Sequence, residues 1–203
     1  MCDKKDWLFT YQEDKKIINK LKKKLKKIIS NIEPEKLEEQ INFSGGRKGY
    51  LTPRGNITQW SLKDSLDEEF YNYIKNQIIK KCSSEIEYKD FDLILTNSWT
   101  IIGKKNSYHV VHQHSKYYME DRISVVVYLE TPTSNHNLPG TFYAMLKEDS
   151  GIKYIRKKSI IPSVGTVIVM PAYLWHGALP AAGKRQTLNF EFIIEDKTDY
   201  TSI

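Results

Sequence analysis

The stretch YHVVHQHSKYYMEDRISVVVYLE, residues 108–130, contains the features that decide the fold. Its second half, RISVVVYLE, has the length of a strand and is rich in β-branched residues, which favour extended structure. Its first half, YHVVHQH, places three histidines in a second extended segment. The stretch therefore predicts two strands in succession, with potential metal ligands on the first.

The chain on either side of this stretch continues the extended pattern from residue 91 to residue 195. Turn-forming residues bound each further strand candidate, and their spacing is typical of an antiparallel sandwich or barrel. With the two strands above, the prediction is eight strands in about a hundred residues. The other six candidates are FDLILTNSWTII (91–102), TFYAML (141–146), KKSII (157–161), GTVIVMP (165–171), LWHGALP (174–180) and QTLNFEFIIE (186–195).

The residues before the strands have helical periodicity. From Glu13 to Ser30, apolar residues recur every three or four positions, which predicts one buried stripe on a helix. A second long helix is predicted to start near Ser65, which forms a capping-box pattern with Glu68, and to end near Ser83 or Ser84. Between them, Pro34 suits the first turn of a short helix. Residues 43–56 are predicted to be a loop.

These patterns predict a single domain over residues 1–203. Residues 1–90 would form a helical buttress and a loop, and residues 91–196 a mainly β core against which the helices pack. A chain of 203 residues that is 40% hydrophobic is large enough for one such core.

The net charge of +6 is local rather than general, because it is concentrated in the first helix. Residues 15–27 could bind nucleic acid or another acidic partner, but a solvated outer helix face is the more usual meaning of such a run. Only five of the 31 basic residues are arginines, so a dedicated nucleic-acid reader is not indicated. The lysines concerned are Lys15, Lys16, Lys20, Lys22, Lys23, Lys24, Lys26 and Lys27.

No apolar run has the length of a membrane span or signal peptide, which predicts a soluble, cytoplasmic protein. The two cysteines, Cys2 and Cys82, have no partner at metal-binding spacing and suit a reducing compartment.

Four of the five histidines fall in the predicted strands. Residues two apart on a strand project to the same side, so His112 and His114 are predicted to point together and His109 to point away. His176 returns in a later strand, as antiparallel barrels allow for ligands distant in sequence. Three neutral imidazoles with open coordination positions suit iron(II) oxygen chemistry and also catalytic zinc. We expect His109 on the outer face or behind the ligands, and His136 on the surface.

Arg185 and Thr187 are predicted to share one face of the last strand. A buried arginine is costly to desolvate unless it meets an anion, and its planar guanidinium matches a carboxylate in two parallel hydrogen bonds. The pair could therefore hold the distal carboxylate of a dicarboxylic cosubstrate. The alternative is that Arg185 forms an ion pair with Glu191 or another acid.

The order HxH, DRISVVVYLE, PSVGTVIVMP, WHGALP and GKRQT resembles the 2-oxoglutarate- and iron(II)-dependent dioxygenases over residues 96–195. The likeness is greatest to poorly characterised HxH-type oxygenases of phage, viral and bacterial sequences, and the layout is similar to that of prolyl 4-hydroxylases. The resemblance implies a double-stranded β-helix, a jelly-roll or cupin-like core. It implies Fe(II) ligation by His112, His114 and His176 and 2-oxoglutarate binding by Arg185.

The implied activity is hydroxylation of a primary substrate, with conversion of 2-oxoglutarate and O2 to succinate and CO2. Tyr128 could reach the cosubstrate, as similar tyrosines do in related families. One position departs from the family pattern: the usual second ligand is a carboxylate, and here it is His114. Either His114 is a ligand, or only His112 and His176 bind and another group completes the site.

The remaining expectations concern the pocket and two competing functions. Residues 43–56 and SKYYMED (115–121) are expected to cover the substrate side, with Tyr108, Tyr117, Tyr118 and Trp175 as candidate lining residues. One competing function is a zinc hydrolase or lyase that uses the same three histidines. The other is a cupin-like binding module with a basic partner-binding helix.

Overall fold

The computed structural model describes residues 7–31, 57–62, 65–66, 68–84, 86, 90–115, 121–132, 140–147 and 154–197. These residues form two helices, α1 (Lys15–Ser30) and α2 (Glu68–Cys82), and ten strands. The strands are β1 (Phe9–Gln12), β2 (Ile57–Ser61), β3 (Phe91–Gly103), β4 (His109–His112), β5 (Arg122–Glu130), β6 (Phe142–Lys147), β7 (Tyr154–Ile160), β8 (Thr166–Pro171), β9 (Trp175–Ala178) and β10 (Arg185–Asp196).

The strands form two antiparallel sheets, as the sequence predicted. The major sheet has the order β1-β8-β5-β10-β3-β2, and the minor sheet has the order β4-β9-β6-β7. Strands β3 to β10 are the eight predicted strands. The chain alternates between the two sheets from β3 to β6 and again from β7 to β10, while β6 and β7 pair with each other in the minor sheet, an arrangement that fits a jelly roll. The predicted mainly β fold with a double-stranded β-helix core is confirmed.

The helices contribute to the larger of two apolar clusters. Ile18, Leu21 and Leu25 of α1 and Ile74 and Ile78 of α2 are buried in it. From the major sheet, the cluster includes Val125 and Val127 of β5, Val167 and Val169 of β8, and Leu188, Phe190 and Phe192 of β10. The helices therefore cover the outer face of the major sheet, as the predicted buttress requires.

The helix boundaries agree with the predictions at three of four ends. Helix α1 begins after Asp14, whose side chain accepts a hydrogen bond from the Lys16 N–H, and it ends at Ser30. Helix α2 begins at Glu68 rather than Ser65, because the Leu62 carbonyl accepts hydrogen bonds from the Ser65 and Leu66 N–H groups in a preceding turn. The predicted short helix after Pro34 and the predicted loop 43–56 lie outside the described residues.

The inner face of the major sheet positions the site. Side chains alternate along β10, so that Leu188 and Phe190 face the helices and Thr187 and Asn189 face the interior between the sheets. On β5, Val126 and Tyr128 face the same interior, where they pack in the second, smaller cluster with Phe142 of the minor sheet. No helix among the described residues is long and apolar enough to cross a membrane.

Candidate metal centre and anion pocket

The structure brings the three predicted ligands together. His112 lies directly opposite His176 in the pairing of β4 with β9, and His114 follows two residues after His112. The candidate ligand atoms of the three side chains all lie within 4.8 Å of one another. A single ion can therefore contact all three imidazoles.

His114 lies beyond the end of β4, where the backbone is fixed by another part of the chain. The N–H groups of His114 and Ser115 both donate to the Ala172 carbonyl, at 2.8 Å and 3.1 Å. The His114 ring lies 4.9 Å from the His176 ring and 5.0 Å from the His112 ring, measured between centroids. The loop after β8 thus holds His114 against the other two histidines.

Each of the three imidazoles has its Nδ1 atom engaged. His112 Nδ1 lies 2.8 Å from the Val110 carbonyl oxygen, and His176 Nδ1 lies 2.8 Å from the Leu174 carbonyl oxygen. His114 Nδ1 lies 2.6 Å from Glu191 Oε1. A carbonyl or carboxylate partner makes Nδ1 the protonated nitrogen and leaves Nε2 free to bind a metal.

Burial keeps the imidazoles of His112 and His176 neutral. Burial and, to a smaller extent, the neighbouring His114 lower the pKa of His112 to about 4. The pKa of His176 is also well below its ordinary value, first because of burial and then because of His112 and His114. Neutral imidazoles need not release a proton before they bind a metal, so the site suits a divalent cation.

His109 does not point away from the ligands, and that part of the prediction was wrong. A regular strand would place His109 and His112 on opposite faces, but the β4–β9 pairing has an irregularity between these two residues. The two ring centroids consequently lie 5.9 Å apart. Burial and then the nearby Arg185 charge lower the pKa of His109 to about 3. His136 lies outside the described residues.

Arg185 is buried, with 3% of its surface exposed. Neither Nη1 nor Nη2 makes a hydrogen bond to any residue that the structure describes. The expected alternative partner, Glu191, instead accepts from His114. A buried guanidinium without an acceptor is costly, and an anionic ligand would remove this cost.

Thr187 and Tyr128 lie beside Arg185. Thr187 is opposite Tyr128 in the pairing of β10 with β5, and the Thr187 hydroxyl accepts a hydrogen bond of 3.2 Å from Asn189 Nδ2. Burial raises the pKa of Tyr128 to about 12, while Arg185 opposes this rise, so the phenol remains a hydrogen-bond donor. The predicted cosubstrate-binding residues therefore occupy one region of the interior.

An open groove of about 340 Å³ adjoins this interior. His109 lines it, together with the exposed side chains of Val110 and Val111 on β4. Tyr108, one of the predicted lining residues, also borders it, as does Tyr143 of β6. Trp175 is half-buried on β9, and Tyr117 and Tyr118 lie outside the described residues.

Two residues near the site, Trp99 and Asn189, had no assigned role in the sequence analysis, and Glu191 was considered there only as a partner of Arg185. Trp99 of β3 has its ring 5.3 Å from that of His114. Asn189 and Glu191 continue the inward face of β10 that begins with Arg185 and Thr187. The alternation of side chains along β10 could have predicted Asn189 and Glu191, because residues 185, 187, 189 and 191 share one side of a strand.

The donor set fits a divalent transition metal with an anionic organic ligand nearby. Three neutral imidazole nitrogens suit iron(II) or zinc, and the set leaves coordination positions for other ligands. The guanidinium of Arg185, whose terminal nitrogens bond to no described residue, suits the far end of a dicarboxylate.

No family model and no curated protein sequence matches the chain. Several solved structures, in contrast, are similar to the chain. A prolyl-4-hydroxylase of Pseudomonas putida is similar over 93% of this chain and 92% of its own, with a TM-score of 0.58 and 14% identity. The viral collagen prolyl hydroxylase of Paramecium bursaria Chlorella virus-1, solved with 2-oxoglutarate, is similar over 95% and 99%, with a TM-score of 0.55 and 16% identity.

HygX of Streptomyces hygroscopicus, solved with nickel, 2-oxoglutarate and hygromycin B, is similar over 94% of this chain and 84% of its own. The TM-score is 0.64 and the identity 10%. At such identities the matches establish the fold. The resemblance seen in the motifs is thus confirmed at the level of the fold, which this chain shares with 2-oxoglutarate-binding oxygenases.

Proposed function

We propose that the chain is a 2-oxoglutarate- and Fe(II)-dependent dioxygenase that hydroxylates a second substrate. The observation that carries this proposal is the buried guanidinium of Arg185, which has no partner among the described residues and lies in the same interior as three converging histidines. A metal site alone is compatible with several chemistries. A metal site beside an arginine with no hydrogen-bond partner among the described residues favours an anionic ligand, and the fold is one in which solved structures hold 2-oxoglutarate.

In this proposal, His112, His114 and His176 hold iron(II) through their Nε2 atoms. Arg185 and Thr187 bind the distal carboxylate of 2-oxoglutarate, and the phenol of Tyr128 donates to the same cosubstrate. When bound, iron(II) and 2-oxoglutarate supply the oxidative chemistry in which O2 yields succinate, CO2 and a hydroxylated product. The protein's own task is to orient these groups and to limit water.

The surroundings suit that task. Val126, Ile168 and Met170 pack with Tyr128 in the inner apolar cluster and keep the floor of the interior dry. The groove along β4 is the approach that we assign to the primary substrate, because His109 lines it and lies beside His112. Its exposed valines and tyrosines suit a partly apolar substrate.

The deciding experiment is anaerobic addition of iron(II) to apoprotein in the presence of 2-oxoglutarate. Chelated 2-oxoglutarate gives a weak visible metal-to-ligand charge-transfer band, which should appear for the native chain and be lost in His176→Ala. Lys184→Ala, an exposed change next to Arg185, is the matched control and should retain the band.

Iron binding without the band would refute the role of 2-oxoglutarate. That outcome would favour the zinc hydrolase or lyase, or the cupin-like binding module, since neither needs 2-oxoglutarate.

A further inference from the structure

Glu191 contacts His114, one of the three histidines, and is the only charged partner of that side chain among the described residues. Its Oε1 atom lies 2.6 Å from His114 Nδ1, and the two side chains are 18% and 9% exposed. We propose that Glu191 is the carboxylate of the metal centre, acting through His114 rather than as a ligand. It would accept the Nδ1 proton of His114, direct Nε2 to the metal and supply the negative charge that the three imidazoles lack. This inference rests on the proposed function only in requiring that the histidines bind a metal.

The three histidines differ in the group that holds Nδ1. Val110 and Leu174, which hold His112 and His176, present neutral backbone carbonyls, each from two residues earlier in the chain. His114 has a carboxylate from a distant strand instead. Both kinds of acceptor fix the tautomer, but a carboxylate also makes the imidazole a stronger donor to the metal.

The charge of the centre depends on this carboxylate. A divalent ion bound by three neutral imidazoles keeps both of its positive charges, whereas two imidazoles and a carboxylate reduce the total to one. With Glu191 ionised behind His114, the total for this centre is also one. His114 and Glu191 together thus match the net charge that a single carboxylate ligand would give at the position of His114.

The fold supplies Glu191 from the strand that also supplies Arg185. Residues 185 and 191 lie on the same inward face of β10, six residues apart, with Thr187 and Asn189 between them. Glu191 pairs with Asn97 of β3 and Ser124 of β5, in the middle of the major sheet, where the backbone is held on both sides. Such a strand positions a carboxylate reliably.

The competing explanation is a structural ion pair between Glu191 and a protonated His114. A structural pair would stabilise the metal-free protein and would leave metal affinity unaffected once the protein is folded. A positioning role predicts that loss of the Glu191 carboxylate lowers the metal affinity, even if the melting temperature of the metal-free protein does not change.

The test is metal titration without 2-oxoglutarate or turnover. Cobalt(II) would be titrated anaerobically into the metal-free native chain, Glu191→Gln and the control Glu195→Gln, with a chelator as competitor. Glu195 is exposed on the same strand, so its change should leave affinity unaltered. Loss of the carboxylate behind His114 should weaken cobalt binding by about 10- to 100-fold. Equal affinity in native protein and Glu191→Gln would overturn the inference.

A second pair of variants covers the case in which Glu191→Gln folds poorly. In His114→Asp the carboxylate becomes a direct ligand and no imidazole remains for Glu191 to orient. Adding Glu191→Gln to His114→Asp should therefore change cobalt affinity by less than about 3-fold, since the coupling between the two residues is lost. A loss as large as in the native background would contradict a role through His114.

The outcomes separate this inference from the proposed function. If the native chain binds no cobalt, the metal site and the proposed function both fail. If it binds cobalt and Glu191→Gln binds equally well, only the role of Glu191 fails.

Discussion

Arg185 carries a positive charge that burial alone would penalise heavily. Burial lowers the pKa of its guanidinium, and the nearby Tyr128 opposes that effect without forming an ion pair. Its two terminal nitrogens make no hydrogen bond to any described residue. The buried charge of Arg185 therefore destabilises the folded protein when no metal or ligand is bound, and an anionic ligand would remove this destabilisation.

Arg185→Met should weaken 2-oxoglutarate binding by roughly 30-fold or more, because truncating one partner of a buried charge pair costs at least about 2 kcal/mol. The same change should leave the melting temperature of the ligand-free protein equal or higher, since an unpaired buried charge is removed. Calorimetric titration of 2-oxoglutarate into metal-loaded protein checks the first effect, and thermal melting checks the second.

Lys184→Met is the control for Arg185→Met. Lys184 is exposed and bonds to Glu130 at 3.0 Å, so its loss should not alter 2-oxoglutarate binding. If Arg185→Met also lost the metal, the assignment of Arg185 to the cosubstrate would be wrong.

His109→Ala should leave one metal ion bound per chain. Its ring is near that of His112, but it is not among the three side chains whose ligand atoms converge. Metal analysis after gel filtration checks this, with His112→Ala as the variant that should lose the ion. Metal-free His109→Ala would show that His109 is a ligand.

The direction in which a side chain points can be predicted from the sequence where a strand is regular, and it cannot where the strand is irregular. The period of two correctly placed Arg185 and Thr187 on one face of β10. The same rule misplaced His109, because the irregularity between His109 and His112 depends on how β4 pairs with β9, a strand more than 60 residues away. The partner of His114 was missed for a similar reason: Glu191 was considered only as a partner of Arg185, and register decides which group it meets.

At the scale of the element, β10 connects the two halves of the site. It is paired with β3 on one side and β5 on the other, and its two faces carry different kinds of residue. One face packs Leu188, Phe190 and Phe192 against the helices, and the other carries the polar residues from 185 to 191. Packing on the apolar face thereby fixes the position of the polar groups on the other.

The sequence predicted both helices and the strands from β3 to β10, but not the edge strands β1 and β2. Strands β4 and β9 have only four residues each, but they lie within longer predicted segments that turn-forming residues bound. Strands β1 and β2 have four and five residues and lie at the two edges of the major sheet. Such short segments are defined by pairing with β8 and β3 rather than by local preference.

Asp92, near the start of β3, links Lys75 of α2 and Lys197, which follows β10, to the major sheet. Its carboxylate bonds to Lys75 at 2.6 Å and to Lys197 at 3.2 Å. Burial opposes ionisation, but the hydrogen bonds from Lys75, the Leu93 N–H and Lys197 outweigh it and lower the pKa of Asp92 to about 2. The carboxyl is therefore more acidic in the folded than in the unfolded chain.

Asp92→Asn should lower the free energy of unfolding by about 1–2 kcal/mol at pH 7. Because the folded pKa lies below the unfolded value, this contribution is complete above about pH 4 and is lost as the pH falls towards 2. Urea unfolding of native protein and variant at pH 7 and pH 3.5 checks the prediction, with Glu195→Gln as control. A difference that does not shrink at low pH would mean that packing, not charge, links these elements.

In the whole molecule, the lysine-rich surface and the candidate metal centre lie in different places. The lysines of α1 lie on the side of the major sheet that faces away from the three histidines, and Lys20 and Lys24 pair there with Glu69 of α2. The polar interior lies on the opposite face of the same sheet. The net charge of +6 thus describes the outer helical layer, and the site depends on a few groups enclosed between the sheets.

Enclosure of the site between two sheets couples ligand binding to the stability of the whole molecule. A ligand that binds only the folded state stabilises it by about 2.7 kcal/mol at a hundred times its dissociation constant. For a chain of this size each kcal/mol raises the melting temperature by roughly 2–4 °C. Manganese(II) with 2-oxoglutarate should therefore raise the melting temperature by about 5–10 °C. Either one alone should raise it less, because each completes only part of the site.

His176→Ala should abolish the combined increase in melting temperature, since 2-oxoglutarate chelates the metal that this histidine helps to hold. Arg185→Met should retain the increase in melting temperature from manganese alone. Differential scanning calorimetry of the metal-free protein, with each addition in turn, separates these cases. An equal response to 2-oxoglutarate with and without metal would mean that Arg185 binds carboxylates independently of the histidines. The two halves of the interior would then be separate sites rather than one.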